Sequence, residues 1–299
     1  MSTYEQGQEL TTLTESVFTT TGGAKLHYVD FVPSGEQSTV PLLCLHGFVR
    51  SSLDFADLGA EFARRGTRVI SPDLRGRGLS QRYENVEDYH FDLLVKDVID
   101  LMDHLNLKQV VVLGIALGAM IGMTLVTAQP GRIRGLILND TGAEVGEAGV
   151  KNSQDFMDAR EFTLDEAVAR MKSQYADIYR NFDESRWPAI TRRVYREVSP
   201  GRFARDFDML AMGDAMRMRA ESTKEQLWPL FLSTKGTPIA LLRGEISGFL
   251  SQEVAERMVQ LHPNTLLTVV KDRGHPPLLD EPESIEAIQS ILKLATNSI

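Results

Sequence analysis

The sequence is poor in cysteine and has no long apolar run. Its 299 residues include one cysteine, Cys44, so an internal disulfide is excluded. Cys44 lies in the apolar run 41–45, which favours a buried core thiol over a reactive one. No stretch of about 18 uncharged apolar residues occurs, so a membrane-spanning helix is not expected. Residues 1–20 lack the basic start and apolar centre of a signal peptide, and we therefore expect a cytoplasmic protein.

Basic charge is also scarce. The chain has 32 Lys and Arg against 41 Asp and Glu, which gives a net charge of −9. An acidic surface argues against nucleic acid or an anionic membrane as the partner, because both attract clustered Lys and Arg. We therefore expect a small-molecule substrate as the partner and a chain that acts as a monomer or homodimer.

Features of metal and dinucleotide sites are missing as well. The six histidines and the single cysteine are too scattered for a ligand cluster. The segment 76–78, Gly-Arg-Gly, follows a predicted strand but lacks the full dinucleotide fingerprint. The sequence therefore predicts no metal site and no cofactor.

Short apolar runs alternate with segments of helical spacing along most of the chain. The predicted strands are 24–32, 40–45, 68–71, 109–113, 135–138, 238–242 and 265–270, and the predicted helices are 53–65, 93–105, 116–128, 252–261 and 282–295. Short continuous apolar runs are typical of strands that are buried on both faces. The alternation predicts the α/β class, with a doubly wound, mostly parallel sheet that carries helices on both faces.

This alternation stops after Asp140 and resumes near residue 238. Residues 145–225 show mostly helical spacing and no buried strand run. We therefore predict a core domain formed by residues 1–144 and 226–299, with residues 145–225 inserted as a helical cap over the strand ends.

The segment 114–118, Gly-Ile-Ala-Leu-Gly, lies between a predicted strand and a predicted helix. Small residues flank its centre, as a sharp strand-to-helix turn requires. The usual form of this motif is G-x-S-x-G, in which a serine nucleophile is raised above the sheet. Here the frame is intact, and Ala116 occupies the nucleophile position.

His275 lies in a loop between the last predicted strand and the last predicted helix. An imidazole titrates near neutral pH, so His275 is a candidate general base and acid. Two carboxylates at strand ends can orient it. Asp140 follows the strand 135–138, and Glu245 follows the strand 238–242.

Five motifs in this order resemble those of the α/β-hydrolase superfamily, in particular its capped esterase, lactonase and carbon–carbon hydrolase branch. They are H-G-F (46–48), P-D-L-R-G-R-G-L-S (72–80), G-I-A-L-G (114–118), L-I-L-N-D (136–140) and G-H-P-P-L-L-D-E-P (274–282). The resemblance spans roughly residues 24–294. It implies an eight-stranded sheet and an oxyanion hole formed by the backbone amides of Phe48 and Leu117.

The sequence departs from this family pattern at two places. Ala116 stands where relatives carry serine, and Leu117 after it resembles the serine hydrolases rather than the dehalogenases, which use aspartate followed by tryptophan. Relatives usually carry an aspartate three or four residues after Gly244, where this chain has Ser247 and Gly248. The second departure favours Asp140 as the acid, with Glu245 as the alternative.

The leading hypothesis is a serine hydrolase for a small to medium hydrophobic ester, lactone or related carbonyl compound, present here without its nucleophile. The alanine is either a deliberate replacement that traps substrate or a natural loss. The alternatives are a lyase or cofactor-free oxygenase that uses a His–acid dyad, and a ligand-binding protein. Large apolar side chains of the predicted cap are candidate substrate contacts, namely Phe162, Tyr175, Trp187 and Met212.

Overall fold

The structure is a computed structural model that describes residues 12–35, 40–144, 146, 160–213 and 224–297. Its strands are β1 (Thr12–Thr19), β2 (Lys25–Val32), β3 (Leu42–Leu45), β4 (Val69–Pro72), β5 (Val110–Ile115), β6 (Ile133–Asn139), β7 (Tyr195–Ser199), β8 (Arg202–Arg205), β9 (Ile239–Gly244) and β10 (Thr265–Val270). Its α-helices are α1 (Ala56–Arg64), α2 (Phe91–His104), α3 (Leu117–Ala128), α4 (Leu164–Tyr175), α5 (Trp187–Val194), α6 (Lys224–Leu232), α7 (Gln252–Leu261) and α8 (Pro282–Asn297). Short 3-10 helices cover Ser52–Phe55, Val86–Tyr89 and Glu184–Arg186.

Eight of the strands form one sheet in the order β1-β2-β4-β3-β5-β6-β9-β10. The pairs β1–β2 and β2–β4 are antiparallel, and every other neighbouring pair in this sheet is parallel. The predicted doubly wound, mostly parallel, eight-stranded sheet is therefore confirmed. The carboxyl ends of β3, β5, β6, β9 and β10 lie side by side, and the predicted oxyanion, nucleophile, acid and base positions follow these strands.

Helices cover both faces of the sheet, which explains the continuous apolar runs. Val110 and Val112 of β5 pack in a cluster with residues of α2 and α3. Val111 and Leu113 pack in a second cluster with residues of α1 and α8. Cys44 lies in the second cluster, and burial raises the pKa of its thiol well above the usual value. The predicted buried core thiol is confirmed.

Two features of the fold were not predicted. Strand β1 is an edge strand that buries only Phe18, so its sequence carries almost no apolar pattern. The antiparallel pair β7–β8 lies within the segment expected to be helical. Its strands bury Tyr195 and Phe203 and otherwise carry mainly charged residues, which gives a weak strand signal.

Residues 160–213 lie between β6 and α6 and are called the insertion below. They have a hydrophobic core of their own, to which α4, α5 and the β7–β8 pair contribute. Residues 1–11, 145, 147–159 and 214–223 lie outside the described residues. The predicted domain limits at 144/145 and 225/226 therefore stay a prediction. In the described ranges no helix combines the length and hydropathy of a membrane span.

Helix α3 lies close against β3 because Gly118 has no side chain. A Cβ atom at this position would lie 2.0 Å from the carbonyl oxygen of Leu45. We expect Gly118→Ala to lower the free energy of unfolding by about 2–3 kcal/mol, because the backbone would have to move apart. Urea unfolding followed by circular dichroism measures this loss.

The matched control is Gly213→Ala, because no atom of the described residues lies within 4 Å of a Cβ atom at that helical position. It is expected to leave stability unchanged or to raise it by about 0.5–1 kcal/mol, since alanine favours helix more than glycine does. Equal stability of the two variants would contradict the close approach of α3 to β3.

Candidate active site

The turn between β5 and α3 has the strained geometry that the sequence predicts. Ala116 has φ 47° and ψ −105°, a backbone conformation that non-glycine residues rarely adopt. A Cβ atom at Gly114 would lie 2.4 Å from the backbone nitrogen of Ala119, so the first flanking position must be glycine. Ala116 therefore lies at a sharp strand-to-helix turn, directly before the N-terminus of α3, where the helix dipole favours negative charge.

The loop after β3 holds the Phe48 amide in place. The His46 Nδ1–H donates to the carbonyl oxygen of Gly47 (2.8 Å), and His46 Nε2 accepts from the backbone N–H of Leu74 (3.0 Å). Burial lowers the pKa of His46, so the ring is neutral and structural. Arg77 Nε donates to the carbonyl oxygen of Phe48 (3.0 Å).

The backbone amides of Phe48 and Leu117 are the two predicted oxyanion donors. Across the described ranges, neither amide donates a hydrogen bond to another group of the chain. Two fixed amide donors of this kind can stabilise negative charge on a substrate oxygen.

Asp140 and His275 form a hydrogen-bonded pair. Asp140 is fully buried at the end of β6 and has φ 51°. Its Oδ2 lies 2.9 Å from His275 Nδ1 and accepts from Ser247 Oγ at 2.6 Å, while its Oδ1 accepts from the Gly244 amide at 3.0 Å. A carboxylate at Nδ1 holds the tautomer that leaves Nε2 with its lone pair, which is the arrangement a general base needs.

Glu245, the alternative acid, is placed elsewhere. Its Oε2 accepts from the backbone N–H of Asp272 (3.0 Å), at the start of the loop that carries His275. In the described part of the chain no hydrogen bond joins Glu245 to His275. Glu245 therefore supports the loop, and Asp140 is the carboxylate that the structure brings to the imidazole.

The neighbours of Asp140 connect the histidine loop to the turn at Ala116. Asn139 Nδ2 donates to the carbonyl oxygen of Pro277 (3.0 Å), two residues after His275. Thr141 Oγ1 accepts from the backbone N–H of Ala116 (2.8 Å). The end of β6 thus contacts both halves of the site. The sequence gives no sign of the role of Thr141, because the contact depends on how the strand ends are arranged.

A family model described as the α/β hydrolase fold matches residues 40–282. The chain belongs to the α/β-hydrolase fold family. This α/β hydrolase is 27% identical over 253 residues to the 3-hydroxybutyrate-oligomer hydrolase of Cupriavidus necator, with 82% of this chain and 85% of the relative covered. It is 31% identical over 114 residues to a haloalkane dehalogenase of Mycolicibacterium paratuberculosis, with 38% of this chain and 37% of the relative covered.

Solved structures agree with this family. An α/β hydrolase from Novosphingobium aromaticivorans superposes with a TM-score of 0.85 at 31% identity, covering 94% of this chain and 98% of that chain. A putative hydrolase from Rickettsia typhi superposes with a TM-score of 0.78 at 24% identity and covers 94% and 99% of the two chains, which shows the fold alone.

The insertion of this α/β hydrolase packs against the loop that carries His275. The backbone N–H of Gly274 donates to the carbonyl oxygen of Ile178 (2.6 Å), and the Tyr179 hydroxyl donates to the carbonyl oxygen of Pro276 (3.1 Å). The insertion therefore contacts the histidine loop on both sides of His275. These contacts were not predicted, because they join segments that are far apart in sequence.

The four predicted substrate contacts lie in two places. Trp187 is 2% exposed and Tyr175 8% exposed, and both belong to the core of the insertion, with Phe162 packed against it. Packing within the insertion accounts for these three side chains. Met212 instead lies in a small cluster with Phe207, against Phe48 of the loop after β3, which is called the oxyanion loop below. Among the four, as far as the structure describes the chain, Met212 is the one whose cluster packs against a predicted site residue.

Asp73 organises the loop that follows β4, next to the oxyanion loop. It accepts from His27 Nδ1 (2.8 Å) and from the backbone amides of Ser52 (2.6 Å) and Leu79 (3.0 Å). Burial by itself opposes ionisation of Asp73, but the hydrogen bonds from His27 and from the two backbone amides lower its pKa below the usual value. Within the described residues no group of three or more His, Cys, Asp or Glu side chains is arranged to bind a metal.

The lowered pKa of Asp73 predicts a contribution to stability that depends on pH. The contribution is fully present above the unfolded-state pKa, about 3.9, and is lost as the pH falls through the lower folded-state pKa. We expect Asp73→Asn to lower the free energy of unfolding by about 3 kcal/mol at pH 7 and by less below pH 4. Urea unfolding at several pH values measures the difference. Asp103→Asn, an exposed partner of Arg132, is the control and should cost under about 1 kcal/mol.

Proposed function

We propose that this chain carries a carboxylic-ester hydrolase site whose nucleophile position is occupied by alanine. The observation that supports this best is the His275–Asp140 pair, which is joined through the end of β6 to the strained turn at Ala116. A bare alanine in this conformation brings no chemistry of its own. A hydroxyl at the same Cβ would lie at the N-terminus of α3, where the family places its nucleophile.

In the proposed parent reaction, a serine at position 116 attacks the substrate carbonyl carbon. The hydroxyl proton passes to His275 Nε2, and Asp140 holds the resulting imidazolium through Nδ1. The amides of Phe48 and Leu117 bind the oxyanion of the tetrahedral intermediate. The imidazolium then protonates the leaving alkoxide, and water releases the acyl group by the same steps.

The relatives support an ester rather than an epoxide or a haloalkane as the substrate class. The match to the 3-hydroxybutyrate-oligomer hydrolase covers 82% of this chain, whereas the matches to the dehalogenase and epoxide hydrolases cover about two fifths. Units of a 3-hydroxybutyrate oligomer are joined by ester bonds. Leu117 after the nucleophile position also fits a serine parent. We therefore propose small to medium hydrophobic esters, with hydroxyacid oligomers as one class to test.

We further propose that residues 145–225 form the cap over this site and that Met212 contributes to its substrate-binding wall. Met212 and Phe207 pack against Phe48 and Val49, beside the proposed oxyanion hole. The thioether side chain of methionine adapts to differently shaped acyl groups. We also propose a cytoplasmic location and a monomer or homodimer.

The substrate test compares the chain as given with its Ala116→Ser variant on p-nitrophenyl butyrate and on a 3-hydroxybutyrate trimer. Hydrolysis by the variant alone supports the proposal. Equal hydrolysis by both proteins, lost in His275→Ala, would show a reaction that needs no nucleophile at position 116 and would overturn it.

A further inference from the structure

The turn after β9 holds a serine where the relatives carry their acid, and this serine makes three hydrogen bonds. Ser247 Oγ donates to Asp140 Oδ2 at 2.6 Å. The same oxygen accepts from the backbone amides of Phe249 (3.0 Å) and Leu250 (3.2 Å). The Ser247 hydroxyl therefore fixes the carboxylate and the course of the turn together.

The turn brings an aromatic ring onto the imidazole. The ring centroids of Phe249 and His275 lie 3.7 Å apart, and their planes differ by 10°. The imidazole is thus held at its edge by Asp140 and on one face by Phe249. Rotation of the imidazole about its Cβ–Cγ bond would break the hydrogen bond to Asp140, and a stacked neighbour limits this rotation.

We propose that Ser247 and Phe249 form a clamp that positions the Asp140–His275 pair. Ser247 keeps Oδ2 of the carboxylate directed at Nδ1, and Phe249 keeps the plane of the imidazole fixed. Both are positioning residues, since they act through the acid and the imidazole. In relatives with an aspartate at this turn, the turn itself carries the acid. Here Asp140 at the end of β6 is the proposed acid, and Ser247 of the turn holds it in place.

Other ionisable groups surround the histidine loop without occupying this clamp. Tyr179 of the insertion donates to the carbonyl oxygen of Pro276, and Arg273 pairs with Glu281. The Glu245 carboxylate accepts from the Asp272 amide. Arg243 of β9 donates to the carbonyl oxygens of Leu250 and Glu245. Asp140 is the carboxylate that is hydrogen-bonded to the imidazole. The clamp variants below leave all of these groups unchanged.

The first test uses the chain with alanine at position 116, so it does not depend on the proposed reaction. Nitrogen-15 spectra of the histidine ring report which nitrogen carries the proton, and His275→Ala assigns the signals. We expect one dominant Nδ1–H tautomer for His275. Phe249→Leu should raise the minor tautomer about fivefold, since it removes the aromatic face at similar volume. Phe249→Tyr should restore the original spectrum.

The second test measures how the loss of a clamp residue changes catalysis, and it rests on the proposed function. In the Ala116→Ser background, Ser247→Ala should lower kcat about tenfold, because it removes a hydrogen bond to a buried carboxylate. Phe249→Leu should lower kcat about fivefold. KM should stay within about twofold for both, and Ser247→Thr should retain most of the rate.

Ser251→Ala is the matched control. Its hydroxyl accepts from the Val254 amide at the start of α7, and within the described ranges no hydrogen bond joins it to Asp140 or His275. If Phe249→Leu leaves the tautomer ratio as it is in Ser251→Ala, the clamp is wrong, whatever the kinetics. If Ala116→Ser hydrolyses no ester, the proposed function fails, while the tautomer ratio still decides the clamp.

Discussion

Replacing Ala116 by serine is expected to raise kcat for an activated ester by about 10⁵-fold over the chain as given. The estimate rests on serine proteases, in which loss of the nucleophile costs about a millionfold and a residual rate remains from the oxyanion hole and binding. The backbone at position 116 already has φ 47° and ψ −105°, so the new hydroxyl would need no rearrangement of the turn. Steady-state assays with p-nitrophenyl butyrate measure the gain.

Ala128→Ser is the matched control for this gain, since it makes the same change at the exposed end of α3. It should leave the rate at the level of the chain as given. A gain below about tenfold for Ala116→Ser in a folded protein would show that the site is not arranged to activate a nucleophile. Adding His275→Ala to Ala116→Ser should remove the gain, because the hydroxyl would lose its base.

Asp140→Asn in the Ala116→Ser background is expected to lower kcat about 10³- to 10⁴-fold. An amide of the same shape keeps the packing, but it cannot stabilise the imidazolium and it favours the wrong tautomer of the ring. The fully buried Asp140 lies 2.9 Å from His275 Nδ1, and no comparable contact is made by Glu245. The same ester assay measures the loss.

Glu245→Gln serves as the control for the acid. Its side-chain oxygen can still accept from the Asp272 amide, so the histidine loop should stay in place and the rate should fall less than about fivefold. A larger loss in Glu245→Gln than in Asp140→Asn would reverse the assignment of the acid. Thermal unfolding of each variant separates a catalytic loss from an unfolded protein.

Much of the fold could be predicted because its central strands are buried on both faces. The run 110–113 is apolar at every position, since alternate side chains enter different hydrophobic clusters. The edge strand β1 and the pair β7–β8 were missed for the opposite reason. Their exposed faces carry polar and charged residues, and tertiary contacts decide their conformation more than local pattern does.

The predicted site residues depended on chain order and on the position of strand ends. Ala116, Phe48, Leu117 and His275 all follow strands whose carboxyl ends lie together, so a one-dimensional pattern was enough to select them. The choice of the acid was harder, because neighbouring strands β6 and β9 both end in carboxylates. The backbone at Asp140 has φ 51°, and this bend places the side chain beside the imidazole. The direction of the Asp140 side chain could not be predicted from the sequence.

Most of the contacts that hold these residues in place could not be predicted from the sequence. The sequence marks Ser247 only as a replacement for an aspartate, and it gives no sign of the role of Phe249. Their contacts with Asp140 and His275 depend on a turn that lacks the repeating hydrogen-bond pattern of a helix or a strand. The contact of Tyr179 with the histidine loop joins segments separated by 97 residues. Such contacts follow from the arrangement of loops, which local propensity does not determine.

We propose that a hydrolase site surrounds the alanine at the nucleophile position. Such a site should react with a fluorophosphonate probe once serine replaces the alanine, and intact-mass spectrometry detects the product. Ala116→Ser should gain the mass of one probe, which peptide mapping should locate at position 116, whereas the chain as given and the Ala116→Ser/His275→Ala double variant should gain none. A folded Ala116→Ser protein that stays unlabelled would contradict the account.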